Sequence, residues 1–146
     1  MEKIPKTYDV LIIGAGPAGA NAAISYKNLN PSLTVGLVDK AIFPRDKSCG
    51  DAIGPGVISA LKRFNNEHIL DGEPQVVSTT LYGPDNIGIQ NYIPEVKNKE
   101  DSIVYVIPRV DLDNRILNLA KESGVDVYEG YSFVDFTSNE DRSLNV

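Results

Sequence analysis

The 146-residue sequence holds one cysteine, one histidine, one methionine and no tryptophan. A single thiol, Cys49, cannot close an internal disulfide, which agrees with a reducing compartment. One cysteine and one histidine make no metal-binding cluster, and His68, in Asn65-Asn66-Glu67-His68, reads as a solvated loop residue. Lysine and arginine are fewer than the acids, 14 against 20, for a net charge of −6 and a pI near 4.7. They form no cluster, which argues against nucleic acid as a partner. No apolar run approaches the roughly 20 residues of a membrane span, and Met1 to Lys6 has no apolar core for a signal peptide. The expected location is therefore the cytoplasm, and the length and the 42% apolar content suit one soluble domain.

Against those absences stands one dense stretch, Tyr8 to Asp39. Tyr8-Asp9-Val10-Leu11-Ile12-Ile13 reads as a buried strand and runs directly into Gly14-Ala15-Gly16-Pro17-Ala18-Gly19, the spacing of a dinucleotide fingerprint. In that motif Gly14 permits the turn, Gly16 clears the approach of a pyrophosphate, and Gly19 lets the following helix lie close to the strand. Pro17 suits a first helical turn. The helix expected from Pro17 to about Asn28 is rich in alanine, including Ala18, and its N-terminus offers unpaired N–H groups to phosphate. Asn30-Pro31 ends it. Leu33 to Val38 is a second strand, apolar enough for a parallel sheet covered on both faces. Asp39 closes it 25 residues after Gly14, where a carboxylate accepts hydrogen bonds from ribose.

Further along, Phe43-Pro44-Arg45-Asp46-Lys47-Ser48-Cys49-Gly50-Asp51 leaves the carboxyl end of the second strand, the side on which such folds bind ligands. Arg45 and Lys47 read either as partners of phosphate or ribose oxygens or as solvated loop charges. Gly54 to Phe64 is expected to be a helix with Val57, Ile58, Leu61 and Phe64 inward, and Asn65 to Pro74 a loop. Val76 to Tyr82, Ile87 to Ile93 and Ile103 to Ile107 have strand composition, with Gly83-Pro84-Asp85-Asn86 turning between the first two. Asp111 is placed to cap a helix running to about Ser123 that buries Leu112, Ile116, Leu119 and Ala120, with Gly124 as its stop. Val125 to Tyr128 is then the third parallel strand, reached by a long crossover. Tyr131 to Phe136 and Leu144 onward read as antiparallel strands.

The glycine turn, Asp39, the run from Pro44 to Asp51 and the helix start Arg109-Val110-Asp111-Leu112-Asp113 together resemble the geranylgeranyl reductase family of FAD-dependent oxidoreductases. That family sits in the wider group of para-hydroxybenzoate hydroxylase and the flavin-dependent halogenases. The resemblance implies an α/β, Rossmann-type FAD-binding fold with a parallel sheet and an inserted antiparallel β-sheet over residues 65–108. It implies that Gly14, Gly16, Pro17, Ala18 and Gly19 face the FAD pyrophosphate, Asp39 and Lys40 the ribose end, and Arg45 and Lys47 the length of the cofactor. Cys49, Gly50 and Asp51 would lie at the flavin end, with Arg109 approaching from its helix start. Cys49 and Asp51 are the candidate catalytic residues, the thiol being equally readable as a proton donor, a packing element or a small neighbour of Gly50. Tyr82, Tyr92 and Tyr105 are candidate lining residues of the substrate side, or tyrosines on a half-buried sheet.

The implied activity is hydride transfer from reduced flavin to a carbon–carbon double bond, with NAD(P)H as electron donor and an isoprenoid or aromatic small molecule as substrate. The alternatives are a monooxygenase or halogenase, the latter disfavoured by the lack of tryptophan, and a non-catalytic FAD-binding module that docks a partner. Members of the family continue well beyond residue 146, so the expectation is a truncated domain that self-associates or meets a second chain supplying the remainder.

Overall fold

The computed structural model describes Ile4, residues 6–92 and residues 104–146. In chain order its elements are β1 (Val10–Ile13), α1 (Pro17–Leu29), β2 (Val35–Asp39), β3 (Ala52–Ile53), α2 (Pro55–Lys62), a 3-10 turn (Glu67–Leu70), β4 (Ser78–Tyr82), β5 (Gly88–Tyr92), β6 (Tyr105–Val106), α3 (Arg109–Glu122), β7 (Asp126–Glu129), β8 (Thr137–Ser138) and β9 (Leu144–Asn145). They fall into two compact units, one of Met1–Asp46 with Asp113–Val146 and the other of Lys47–Leu112.

The first unit is a Rossmann-type sheet of order β1-β2-β7, with all three strands parallel. Ile13 pairs with Val38, and Asp39 with Glu129, so the three carboxyl ends come level at one edge. Apolar residues of β2 are buried as a continuous run, Val35, Leu37 and Val38, as a strand covered on both faces requires. Ala20, Ala23 and Ile24 of α1 are fully buried, and the helix packs on β1 and β2. The close fit depends on Gly19, where an added Cβ would lie 1.8 Å from the carbonyl oxygen of Gly14.

The α3 stripe is buried as expected at Leu112, Ile116, Leu119 and Ala120, and Leu117 and the carboxylate of Asp113 join it. Asp111 is not the cap. The helix starts two residues earlier, with the Asp111 and Leu112 N–H groups both donating to the Pro108 carbonyl. Tyr131 to Phe136 is not a strand either. Gly130, at φ +80°, turns the chain after β7, and only the two-residue pair β8 and β9 forms beyond it.

The second unit carries two antiparallel pairs, β3 with β6 and the hairpin β4 with β5, plus the buried side chains Ile53, Ile58, Leu61, Leu70 and Ile107. Val57, expected inward on α2, is 40% exposed, since the helix is short and turns only one narrow face inward. The expected loop Asn65–Pro74 contains the 3-10 turn, which buries Leu70. Ile93 and Ile103, the ends of two expected strands, lie outside the described residues. Among the described residues no helix is long and apolar enough to cross a membrane.

Candidate functional site

β1 ends at Ile13 because Gly14 takes φ +102°, a backbone that side-chain-bearing residues rarely adopt. Its N–H donates to the Val38 carbonyl at 2.7 Å, holding the turn against the end of β2. Gly16 is the N-cap of α1 and Pro17 its first residue; the helix has no side-chain cap and no acidic residue in its first turn. Its leading N–H groups have no partner within the helix, and its dipole favours an anion there. Ala18 is exposed on that first turn and Gly19 packs beneath it.

Asp39 sits at the end of β2 and ties the turn to the strand. Oδ2 accepts from the Ala15 N–H at 2.7 Å and Oδ1 from the Ala41 N–H at 2.8 Å. Each carboxylate oxygen retains a further acceptor position, so a ribose hydroxyl is accommodated without displacing either bond. Beside it opens a cavity of about 320 Å³, bounded by Ile13, Gly14, Val38, Asp39 and Lys40 from the ends of β1 and β2 and by Tyr131, Ser132 and Phe133 beyond β7. That is the low end of the usual range for small-molecule pockets.

The Tyr131–Phe133 wall was not legible as a site in the sequence. Its one signal was position, directly after the third parallel strand. Two bonds fasten it, Gly130 N–H to the Ala41 carbonyl at 3.2 Å and Tyr131 N–H to the Asp39 carbonyl at 3.0 Å. Tyr131 also stands edge-on to Tyr128 with centroids 5.8 Å apart, and Tyr128 is edge-on to Tyr8 at 6.2 Å.

Arg45 comes back to the glycine turn. Its Nη2 would be 3.4 Å from a Cβ on Gly16, its guanidinium lies over the Phe43 ring at 4.9 Å, and its Nη1 is 3.4 Å from Oδ2 of the fully buried Asp113. Glu129 steadies the same loop, accepting from the Phe43 N–H at 2.7 Å and from Lys121 Nζ at 2.8 Å. Burial opposes its ionisation, but Lys121 and the Phe43 N–H prevail and hold the carboxyl below its ordinary value of 4.5. Because the folded value is the lower one, the stabilisation is present above pH 4.5 and is lost as pH falls through the folded value. Glu129→Gln should therefore flatten the decline in unfolding midpoint between about pH 5 and pH 3; parallel acid profiles for the two proteins would remove Glu129 from this role.

The remaining expected residues lie in the second unit. Asp51, at φ +56°, accepts the Arg109 N–H on Oδ1 at 3.2 Å and the Ile107 N–H on its carbonyl at 3.0 Å, so it caps α3 in place of Asp111. Cys49 is exposed. The Asp51 N–H, and then the Arg109 side chain, lower its thiol below the ordinary 9.0, favouring the nucleophilic thiolate. Gly50 and Lys47 are exposed in the same unit. Tyr82 is 68% exposed on β4, Tyr105 on β6 accepts from Gln75 Nε2 at 3.3 Å, and Tyr92 ends β5 opposite Ser78. The structure thus gathers Gly14 to Gly19, Asp39, Lys40 and Arg45 in one unit, and Cys49, Asp51 and Arg109 in the other.

The first group fits a dinucleotide. A glycine turn at an uncapped helix start, a cation beside Gly16, a carboxylate with spare acceptor positions and an adjoining cavity match its phosphate, ribose and base in kind. No family model matches the chain. It is 33% identical over 138 residues to menaquinone reductase of Mycolicibacterium smegmatis, covering 94% of this chain and 32% of that one. With digeranylgeranylglycerophospholipid reductase of Picrophilus torridus it shares 30% over 123 residues, 83% of this chain and 29% of that one. Its fold superposes on the myxobacterial chondrochloren halogenase, an FAD-dependent halogenase, with a TM-score of 0.75 at 23% identity, over 95% of this chain and 32% of the halogenase. The chain spans about a third of the length of the relatives it matches. Its relatives and structural neighbours are thus FAD-dependent halogenases, geranylgeranyl reductase-like proteins and a monooxygenase, the group that the glycine turn and the Pro44–Asp51 run resemble.

Proposed function

We propose that the chain is the FAD-binding portion of a flavin-dependent oxidoreductase, most like a geranylgeranyl-type reductase. The observation that carries the reading is the convergence, in one unit, of Asp39, bonded to the Ala15 N–H at 2.7 Å, and Arg45 Nη2, 3.4 Å from a Cβ position on Gly16. A carboxylate for ribose and a cation for pyrophosphate flank one glycine turn.

In this reading Gly14 and Gly16 bring backbone close to the diphosphate, and the α1 terminus and Arg45 balance its charge. Asp39 orients the ribose, with Lys40 beside it, and the Tyr131–Phe133 wall shelters the base. Cys49 is the thiol offered to the reacting end, kept acidic by Asp51 and Arg109, and Lys47 lies along the cofactor. Bound flavin supplies the hydride chemistry, and the protein supplies position and electrostatics. NAD(P)H is the proposed donor and a small isoprenoid or aromatic molecule the proposed substrate. Reductase is favoured over halogenase because two reductases are somewhat nearer in sequence, at 33% and 30% identity, than two flavin-dependent halogenases of Armillaria mellea at 26% and 28%. Slow oxygen uptake by the reduced protein supports the reductase, and rapid substrate-dependent uptake supports the oxygen-using alternative.

The binding reading has its own test. Gly16→Val places a branched side chain in the diphosphate's approach, with Arg45 Nη2 already at contact distance. The variant should keep its far-UV circular dichroism while its flavin content after saturation with FAD and desalting falls at least about tenfold. Equal flavin content in the two proteins would place the cofactor elsewhere.

A further inference from the structure

Asp113 is a fully buried carboxyl side chain in an otherwise apolar helix stripe. Burying a carboxylate is unfavourable unless a partner and further hydrogen bonds offset the lost hydration, and apolar replacements of such pairs are often no less stable. The ion-pair partner of Asp113, Arg45 at 3.4 Å, carries the second anomaly. Arg45 Nη1 is buried and makes no hydrogen bond, although buried donors nearly always have one. The guanidinium is fixed on three sides: Phe43 covers its face, Asp113 holds one end, and the other end borders Gly16.

We propose that Asp113 is a positioning residue for the diphosphate of the bound dinucleotide. It holds the Arg45 guanidinium through Nη1, so that Nη2, the end beside Gly16, is presented to an anion at the glycine turn. The inference rests on the dinucleotide reading of this site. A guanidinium held in place loses less rotamer freedom on binding than a mobile one, so the carboxylate acts on phosphate affinity through Arg45 and touches no ligand itself.

The prediction separates phosphate from the rest of the ligand. Asp113→Asn keeps the shape and removes the charge; affinity for ADP should fall about tenfold or more, the scale of one charge-assisted hydrogen bond. Affinity for adenosine, followed by NMR titration, should stay as in the unaltered protein. An equal loss for both ligands would mean that Asp113 only supports the fold, and unchanged ADP affinity would mean that it does not position Arg45; either result overturns the proposal. Breaking a buried pair is strongly destabilising, so if circular dichroism finds Asp113→Asn unfolded, Asp113→Glu decides. It retains the charge but displaces it by one methylene, and a loss confined to ADP supports the proposal whereas undiminished ADP binding overturns it. Should the unaltered protein bind neither ADP nor FAD, the dinucleotide reading itself fails, which no variant result can imitate.

Discussion

Gly19→Ala is expected to lower the unfolding midpoint by about 10 °C and to strip the protein of its ligand. The added Cβ would meet the Gly14 carbonyl oxygen at 1.8 Å and the Gly14 carbonyl carbon at 3.0 Å. Both are backbone atoms of the tight turn, so relief requires moving α1 away from β1. Forced overpacking costs about 1–3 kcal/mol and at times more, and about 1 kcal/mol lowers the midpoint of a chain this size by roughly 2–4 °C. The same displacement carries the helix N-terminus away from its phosphate-binding position, so affinity falls with stability. Gly56→Ala is the control. It lies inside α2 with nothing within 4 Å of the added carbon, and it should raise stability by about 0.5–1 kcal/mol. Thermal melts of the three proteins decide the matter, and an unshifted midpoint for Gly19→Ala would show that the turn is looser than these distances.

Asp39→Ala should cost the protein twice, once without ligand and once with it. Without ligand, the Ala15 and Ala41 N–H groups lose their shared acceptor. Hydrogen bonds to charged groups contribute about 1.5–3 kcal/mol each; Ala15 is buried and Ala41 half-buried, so water replaces the acceptor mainly at Ala41 and a net loss of about 2–4 kcal/mol is expected. With FAD, the ribose loses its acceptor and the dissociation constant should rise about 10- to 100-fold. Urea denaturation reads the first effect and flavin titration the second. An unchanged dissociation constant would leave Asp39 as a loop tie and remove it from the ribose.

The local features of the first unit were legible because short-range chemistry determines them. The turn at Gly14, the helix start at Pro17 and the carboxylate at the end of β2 each follow from a residue type at a fixed spacing. The partners of Arg45 were not legible. Its pairing with Asp113 joins residues 68 positions apart and depends on how α3 seats in the unit, so the sequence left Arg45 balanced between a phosphate ligand and a solvated charge. The strand expected over Tyr131 to Phe136, which includes the Tyr131–Phe133 wall, does not form for a related reason. Its aromatic and β-branched content has strand character, but Gly130 breaks the backbone direction first, and the tyrosine stack on Tyr128 satisfies those side chains without a ladder. Asp111 looked like a cap because it precedes the apolar stripe; the acceptor comes instead from Asp51, 58 residues before the N–H it receives, which no local pattern encodes.

The most direct measurement is an amide NMR titration of the chain with FAD, repeated with ADP. The account predicts that both ligands perturb the same amides, those from Gly14 to Gly19, Ala41 and Tyr131 to Phe133, saturating in parallel with the quenching of flavin fluorescence. Perturbations confined to other parts of the chain, or none at saturating ligand, would contradict the assignment of the glycine turn as the dinucleotide site.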